Sequence, residues 1–300
     1  MADEAQKNFE FDLSKDYPFT PSTEEHRRLE EQSAALNDIL LGKVSRAPVD
    51  KPKRILDVGC GTGIQTVLLA EIYPDATVIG LDYSPVPDIH PKPDNVVYIL
   101  GRLEELIDKH PLMKTGTFDL VYHRMLILAI TDWSLYVARA RSLLKPGGYI
   151  ECQEGNNLSP CDGKGNSLLD SLKWPEVAAR RSISRGLDIR IALNLPGILR
   201  SNGFEEVQDD VFPMAYRPDW KERPETSRFG RYFSTQAPRA IRMLLEQGAG
   251  EDEDPDTLWQ EAKKSCLEGE VDIHDKFHVI VARKSNESWR KVVAEKARKN

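Results

Sequence analysis

A run of glycines behind an aspartate is the feature of this sequence best suited to chemistry. Residues 57–63 read Asp-Val-Gly-Cys-Gly-Thr-Gly, after a short apolar stretch and before a segment with helical periodicity. Glycines let a chain turn sharply from a strand into a helix, and they leave room for a ligand on the turn. Unpaired N–H groups at the start of the helix can bind a polar group. The pattern predicts a ligand-binding turn, with an empty structural turn as the alternative.

The glycine spacing distinguishes between two classes of nucleotide cofactor. In the dinucleotide fingerprint G-x-G-x-x-G the third glycine would fall at Ile64, but here it comes one residue earlier, at Gly63. S-adenosylmethionine (SAM) has no pyrophosphate and presents an ammonium group, a carboxylate and a ribose. Asp57 could hold its cationic end, directly or through water. We therefore expect SAM rather than NAD as the cofactor.

A second acid follows the glycine turn at the distance expected of a ribose-binding residue. Asp82 lies at the end of the next predicted strand, about 20 residues beyond the turn, where nucleotide-binding α/β folds place such an acid. A carboxylate can accept hydrogen bonds from both ribose hydroxyls. We expect Asp82 to bind the ribose; the alternative is a solvated turn residue before Ser84-Pro85.

A parallel sheet would bring the glycine turn and Asp82 together, and the sequence pattern predicts such a sheet. Apolar runs and helical segments alternate over its first half, which indicates right-handed βαβ units with helices on both faces of the sheet. The predicted strands are Arg54–Val58, Ala76–Leu81, Val96–Leu100, Phe118–Tyr122 and Tyr149–Gln153, and the predicted helices between them are Ile64–Tyr73, Leu103–Lys109 and Asp132–Leu144.

The flanking segments are less regular. They predict a helix over 23–41, a loop over 155–175, helical pattern over 176–202, strands at Phe204–Met214 and Phe277–Ala282, and helices near 235–247 and from 255 to about 268. We divide the chain into an arm and helix that cap the site (1–45), a core (46–285) and a tail (286–300). Long insertions at about 155–190 and 215–270 are candidates for a lid over a pocket.

The composition excludes several classes of function. The net charge of −7 argues against a protein that grips nucleic-acid backbones. We expect no membrane contact, because no stretch of 18 residues is free of charge. The four cysteines form no closely spaced pair, so we expect reduced thiols and no metal site. Residues 1–10 are charged and do not resemble a signal peptide, which favours the cytoplasm, with the nucleus as the alternative.

Three motifs resemble those of class I SAM-dependent methyltransferases: residues 54–63, 78–85 and 143–151. Over about residues 15–285 the chain is similar to the fungal LaeA-like methyltransferases, a group of secondary-metabolite methyltransferases that includes a regulator of secondary metabolism. That narrower similarity is carried by Tyr17-Pro18, Glu24-Glu25, Arg28-Leu29, residues 118–124, Asp132-Trp133, residues 151–154 and the stretch His274–Lys284. The resemblance implies an α/β fold with a Rossmann-like, doubly wound, mostly parallel seven-stranded sheet whose last strand is antiparallel.

The motifs and the resemblance together predict the cofactor contacts. These are Asp57, Gly59, Cys60, Gly61, Gly63, Asp82, Tyr83, Arg102, Leu103 and His123, with Tyr17 closing over the cofactor from the arm or, alternatively, stapling the surface. Many class I enzymes bind adenine with an acid after the third strand, but here Arg102 stands at that place. Either Glu104 substitutes for that acid, or backbone groups of residues 101–103 bind the adenine.

The acceptor is expected beyond the fourth strand, where four side chains have two interpretations each. His123 is the candidate general base, or a structural histidine. Arg124 binds an acceptor carboxylate, or pairs with Asp82 or Glu154. Glu154 binds an acceptor amine, or is a solvated loop acid. Trp133 packs against an aromatic acceptor, or packs in the core.

Three functions compete for this site. The first is a methyltransferase acting on a small-molecule acceptor, and the second is a LaeA-like regulator that works through protein partners. The third, an NAD-dependent dehydrogenase, is disfavoured by the glycine spacing. The arginine-rich stretch 215–231 is interpreted as a solvated face, with attraction of an anionic acceptor as the alternative.

Overall fold

The computed structural model describes residues 22–246 and 254–285. The elements in chain order are α1 (Thr23–Ile39), β1 (Arg54–Val58), α2 (Ile64–Ile72), β2 (Thr77–Asp82), β3 (Val96–Leu100), α3 (Leu103–Leu106), β4 (Phe118–Arg124), α4 (Trp133–Leu143), β5 (Leu144–Cys161), α5 (Trp174–Ile183), α6 (Leu195–Ser201), β6 (Phe204–Ala215), α7 (Ser227–Glu246), α8 (Pro255–Cys266) and β7 (His274–Lys284). Tyr17 and the predicted tail lie outside the described residues.

The sheet has seven strands in the order β3-β2-β1-β4-β5-β7-β6. Strands β1 to β5 pair in parallel, whereas β7 runs antiparallel to both β5 and β6. The predicted fold class, with an antiparallel last strand, is confirmed. The chain order reverses direction between β1 and β4, and in doubly wound sheets ligands bind in the crevice at that reversal.

The central strands are buried on both faces, and their register shows where they end relative to one another. Ile55, Leu56, Leu120 and Val121 have no exposed surface. Val58 pairs with Leu81 of β2 on one side and with His123 of β4 on the other. The carboxyl ends of β1, β2 and β4 therefore meet at one edge of the sheet.

The segment 43–52, which follows α1, is tied to the sheet. The Ser45 hydroxyl and the backbone N–H groups of Arg46 and Ala47 all donate to one carboxylate oxygen of Glu151 on β5, at 2.6, 2.9 and 2.8 Å. This anchor fixes the chain directly after α1, which helps to hold α1 over the sheet edge.

Two of the predicted segments after β4 were wrong in detail. Residues 155–161 belong to β5 rather than to a loop, because Gly155 and Asn156 pair with β7, and the backbone ladder holds even these weak strand formers. The helical pattern over 176–202 is two helices, α5 and α6. Gly186, with φ +79°, lies in the break between them.

Helix α7 begins eight residues earlier than predicted, within the stretch interpreted as a solvated face. Phe229, Phe233, Ile241 and Leu245 are buried and recur at helical spacing, so the arginines occupy only the opposite face. The helix packs against α1, α5 and α8. None of the helices within the described ranges is long and apolar enough to cross a membrane.

Candidate functional site

The glycine turn follows β1 in the chain and is hydrogen-bonded to the end of β2. Gly59, Gly61 and Gly63 all have positive φ, at +67°, +57° and +83°, a region that side chains disfavour. The N–H groups of Gly59 and Cys60 both donate to the carbonyl oxygen of Leu81, at 2.7 and 3.1 Å. These backbone hydrogen bonds fix the position of the turn directly before α2.

Asp82 lies directly against this turn. One carboxylate oxygen accepts the N–H of Gly61 at 2.8 Å, and the other accepts the N–H of Ser84 at 2.9 Å. Burial raises the pKa of Asp82, and these backbone donors partly oppose the rise. A carboxylate can accept about four hydrogen bonds, and with the backbone of Tyr83 as a third donor, Asp82 still retains capacity for a ligand hydroxyl.

Asp57 lies behind the turn. Its side chain is buried and accepts the hydroxyl of Thr66 at 2.7 Å. Burial raises its pKa to about 7, while Arg124 nearby lowers it and Asp82 raises it further. Asp57 does not line the cavity described next, so its predicted contact with a cationic ligand, directly or through water, stays a prediction.

A cavity of about 500 Å³ opens at this edge of the sheet, within the range of small-molecule sites. We call one part the glycine-turn half: it is formed by Gly59, Gly61 and residues 82–85. We call the other the α7 half. It is formed by residues 125–129, Asn157, Leu158, Ile189, Asp275 and α7 residues between Phe229 and Leu244. Helix α1 also lines the cavity, from Ser22 to Gln32.

Leu126 lies where the two halves meet. A Cβ built on Gly59 would be only 2.3 Å from Leu126 Cδ2, so this glycine makes room for the protein's own side chain. A Cβ on Gly61 would be 3.5 Å from Leu29 Cδ1, an ordinary contact. Both glycines still line the cavity. The room for a ligand is therefore greater at Gly61 than at Gly59.

His123 lies in a buried polar cluster rather than on the cavity wall. Its Nδ1 is 2.8 Å from the hydroxyl of Tyr136, and its Nε2 is 3.5 Å from Glu154 Oε1. The Trp133 ring packs against it with centroids 5.7 Å apart. Burial lowers the pKa of His123 to about 3. The predicted base and cofactor contact are wrong for His123 in this geometry, because no part of its side chain is exposed.

Glu154 and Trp133 are corrected for the same reason. Glu154 has no exposed surface, and its Oε1 accepts the backbone N–H of Leu126 at 2.7 Å. It is therefore neither an acceptor ligand nor a solvated acid, and burial raises its pKa to about 8. Trp133 is buried beside His123 and does not line the cavity. These side chains lie behind the cavity wall, and Glu154 is bound to the backbone of Leu126 on that wall.

Arg124 lines the cavity, but its guanidinium is bound by the protein. It donates to Asn37 Oδ1 at 2.9 Å and to the Ser33 hydroxyl at 2.5 Å, both on α1. The predicted pairing with Asp82 or Glu154 is wrong. Arg124 instead ties the end of β4 to α1.

Sequence reasoning placed α1 over the site but missed how it is held. Arg28 donates to both carboxylate oxygens of Glu25, at 2.7 and 2.6 Å, and to the hydroxyl of Tyr232 on α7 at 2.7 Å. All three residues line the cavity. Their spacing on α1 was visible, but the partner on α7 lies 204 positions from Arg28 in the chain.

Of the remaining predicted cofactor contacts, one lines the cavity and the others do not. Tyr83 lines the cavity, and the Arg102 guanidinium lies 5.6 Å from the centre of its ring. Arg102, Leu103, Cys60 and Gly63 do not line the cavity, so their predicted direct contacts find no support in this geometry. At Gly63 a Cβ would lie 2.4 Å from the hydroxyl oxygen of Tyr98, so this glycine is needed for packing.

The chain is similar in sequence to known methyltransferases. Residues 26–209 match a family model described as a methyltransferase domain. The chain is 32% identical over 220 residues to methyltransferase pytC of Aspergillus terreus, covering 71% of this chain and 65% of that protein. It is 29% identical over 213 residues to the secondary metabolism regulator LAE1 of Cochliobolus heterostrophus, covering 68% and 66%. The match thus spans about two thirds of the length of these relatives.

Among solved structures, the chain is similar to the YcgJ protein of Bacillus subtilis. The TM-score is 0.50 at 16% identity, and the alignment covers 85% of this chain and 100% of that protein. At this identity the similarity concerns the fold alone.

Proposed function

The chain belongs to the methyltransferase-domain family, and from that premise we propose that it transfers a methyl group from SAM to a small-molecule acceptor. One observation carries the proposal. The carboxylate of Asp82 and the N–H of Gly61 are hydrogen-bonded to each other on the wall of one cavity, so the two predicted cofactor contacts form a single surface.

The chemistry of this surface fits SAM. The remaining acceptor capacity of the Asp82 carboxylate suits a ribose hydroxyl. Gly61, without a side chain, lets the ligand approach the turn. Bound SAM supplies a methyl group on a sulfonium, which is a leaving group already activated by its positive charge.

The protein's own part is alignment and exclusion of water. The cavity continues from the glycine-turn half into the α7 half, so an acceptor there would face the cofactor across Leu126. Helices α1 and α7 cover both, joined by the Arg28–Tyr232 hydrogen bond. Holding two reactants in line in a dry site is the main catalytic contribution that such a displacement needs.

The test is a search for methylated products. Purified protein is incubated with SAM and with small-molecule extracts, and the mixture is scanned by mass spectrometry for species heavier by one methylene unit. We expect at least one such product, absent without SAM and strongly reduced with the Asp82→Ala variant. If no product forms although SAM binds, the transferase proposal fails.

We propose a role in fungal secondary metabolism, since the relatives named above are a fungal methyltransferase and a fungal regulator of secondary metabolism. The similarity to the regulator LAE1 favours a second candidate, a regulatory protein that acts through protein partners. The enzyme is expected in the cytoplasm and the regulator in the nucleus. Imaging of a tagged protein separates them, because exclusion from the nucleus contradicts the regulatory role.

A further inference from the structure

The arginines on the cavity wall are already bound by the protein or exposed to water. Arg28 is held by Glu25 and Tyr232, and Arg124 by Asn37 and Ser33. Arg239, on α7, also lines the cavity but is exposed, so water screens its charge. His26 also lines the cavity, but from α1 rather than from the α7 half. Within the described residues, the buried part of the α7 half therefore offers no available cation to balance a carboxylate or phosphate.

The buried acid of the α7 half is also committed. Asp275 accepts the N–H groups of Leu158 and Ser159, at 2.9 and 2.8 Å, and the hydroxyl of Tyr216 at 2.8 Å. These three donors hold β5 and the residue after β6 against Asp275 of β7. An ammonium group entering this half would have to compete with them, and burying a charge without a partner is costly.

The rest of the α7 half is largely apolar. Three aromatic rings, of Phe229, Tyr232 and Phe233, contribute to it, and Phe233 stacks on Tyr216 with centroids 4.2 Å apart. Aliphatic side chains complete this surface: Leu126, Ile127, Leu128, Ile189, Ile241 and Leu244. Such a surface favours a ring or chain with little charge.

Two amide side chains interrupt this apolar surface. Asn157 and Gln236 both line the cavity, and in the described part of the protein neither side chain makes a hydrogen bond. An amide offers both a donor and an acceptor, so it can bind a hydroxyl or a carbonyl but cannot neutralise a charge. These two residues are the polar contacts that the α7 half holds open for a ligand.

We infer that the acceptor is an uncharged, mainly apolar molecule whose hydroxyl or carbonyl groups are bound by Asn157 and Gln236. This inference rests on the function proposed above, because it treats the α7 half as the acceptor site. It names the charge class of the acceptor and the two residues that select it.

A matched set of three probes tests the charge class. Naphthol, hydroxynaphthoic acid and aminomethyl-naphthol share one ring system and differ in charge. Their binding to the wild-type protein is measured by calorimetry, with and without saturating S-adenosylhomocysteine. We expect naphthol to bind about tenfold or more tightly than either charged probe, since each charge would be buried without a partner. Equal or tighter binding of a charged probe, or no binding of naphthol, overturns the inference.

A charge placed at Gln236 tests the assignment of the residue. In Gln236→Lys the α7 half gains a cation, so we expect the preference to shift by about tenfold or more toward hydroxynaphthoic acid. Thr235→Lys is the matched control, because Thr235 is the exposed neighbour on α7 and does not line the cavity. An unchanged preference in Gln236→Lys, or the same shift in both variants, removes Gln236 from the acceptor site.

The same titrations separate this inference from the proposed function. If S-adenosylhomocysteine does not bind, the methyltransferase proposal fails, and the probe series without it still reports the charge preference of the cavity. If it binds but a charged probe is preferred, the methyltransferase proposal stands and the acceptor class is wrong.

Discussion

The two halves of the cavity are built by different means. In the glycine-turn half, backbone N–H groups of Gly59, Gly61 and Ser84 fix the wall, and its residues lie close together in the chain. In the α7 half, side chains from residues 125–129, Ile189, β5, β7 and α7 form the wall, and some of them lie more than 100 positions apart. A backbone wall tolerates little change, whereas a side-chain wall can be altered to change what it binds. Substitutions should therefore affect cofactor binding in the first half and acceptor binding in the second.

The largest effect is expected at Gly61. In Gly61→Val a branched side chain would enter the cavity at a residue with φ +57°, so we expect SAM affinity to fall by about a hundredfold or more. Gly116→Val is the matched control. Gly116 has φ +67° and is exposed, and a Cβ there would meet nothing within 4 Å. Calorimetry with SAM measures both, and circular dichroism checks folding. Equal affinities in the two variants would show that the glycine turn does not bind the cofactor.

Loss of the Asp82 carboxylate should have the next largest effect. Asp82→Ala removes the acceptor for two backbone N–H groups and for the ribose, so we expect SAM binding to weaken by about 1–3 kcal/mol. Asp119→Ala is the matched control, because one oxygen of Asp119 also accepts two backbone N–H groups, those of Lys53 and Arg54, at the other end of the strands. A dissociation constant that changes equally in both variants would remove Asp82 from the site.

A larger side chain in the α7 half should leave cofactor binding intact. In Ala237→Phe part of the cavity is filled, so we expect the KM for the acceptor to rise by about tenfold with little change in SAM affinity. Thr235→Phe, at an exposed position of the same helix, should leave both unchanged. Steady-state kinetics with the acceptor found in the product search measure the effect. A loss of SAM affinity in Ala237→Phe would mean that the two halves are not separate sites.

The smallest effect is expected at Glu154, whose carboxylate accepts the N–H of Leu126 where the two halves meet. Buried Glu154 keeps its proton up to about pH 8, whereas in the unfolded chain it ionises near 4.5, so its contribution to stability is full below 4.5 and declines as pH rises toward 8. Glu154→Gln cannot ionise and keeps an acceptor for the N–H of Leu126. We expect urea denaturation to show a weaker decline of stability with pH in the variant than in the wild type. Parallel pH profiles would show that Glu154 is already ionised in the folded protein.

Sequence patterns predicted the fold and the glycine-turn half well because both depend on local features. Buried parallel strands are visible as apolar runs, and a strand-to-helix turn needs glycines within a few residues. The distance from Gly61 to Asp82 in the chain then follows from one helix and one strand. The structure brings these two residues into contact, as the sequence predicted.

The side chains in and behind the rest of the cavity wall could not be predicted because their positions depend on contacts between distant segments. His123 follows an apolar strand and has a suitable ionisation, but its burial depends on Tyr136 and Trp133 packing over it from α4. Arg124 was expected to find an acid, but α1 supplies Asn37 and Ser33 instead. Arginines near the start of α7 masked its apolar face, which a search at helical spacing from Phe229 onward would have found.

The most direct test of the central claim is a crystal structure of the protein with S-adenosylhomocysteine. We expect the ribose hydroxyls within hydrogen-bonding distance of the Asp82 carboxylate and the amino-acid end of the ligand beside Gly61. A ligand bound elsewhere, or a cavity in which side chains displace it from the glycine turn, would contradict the account.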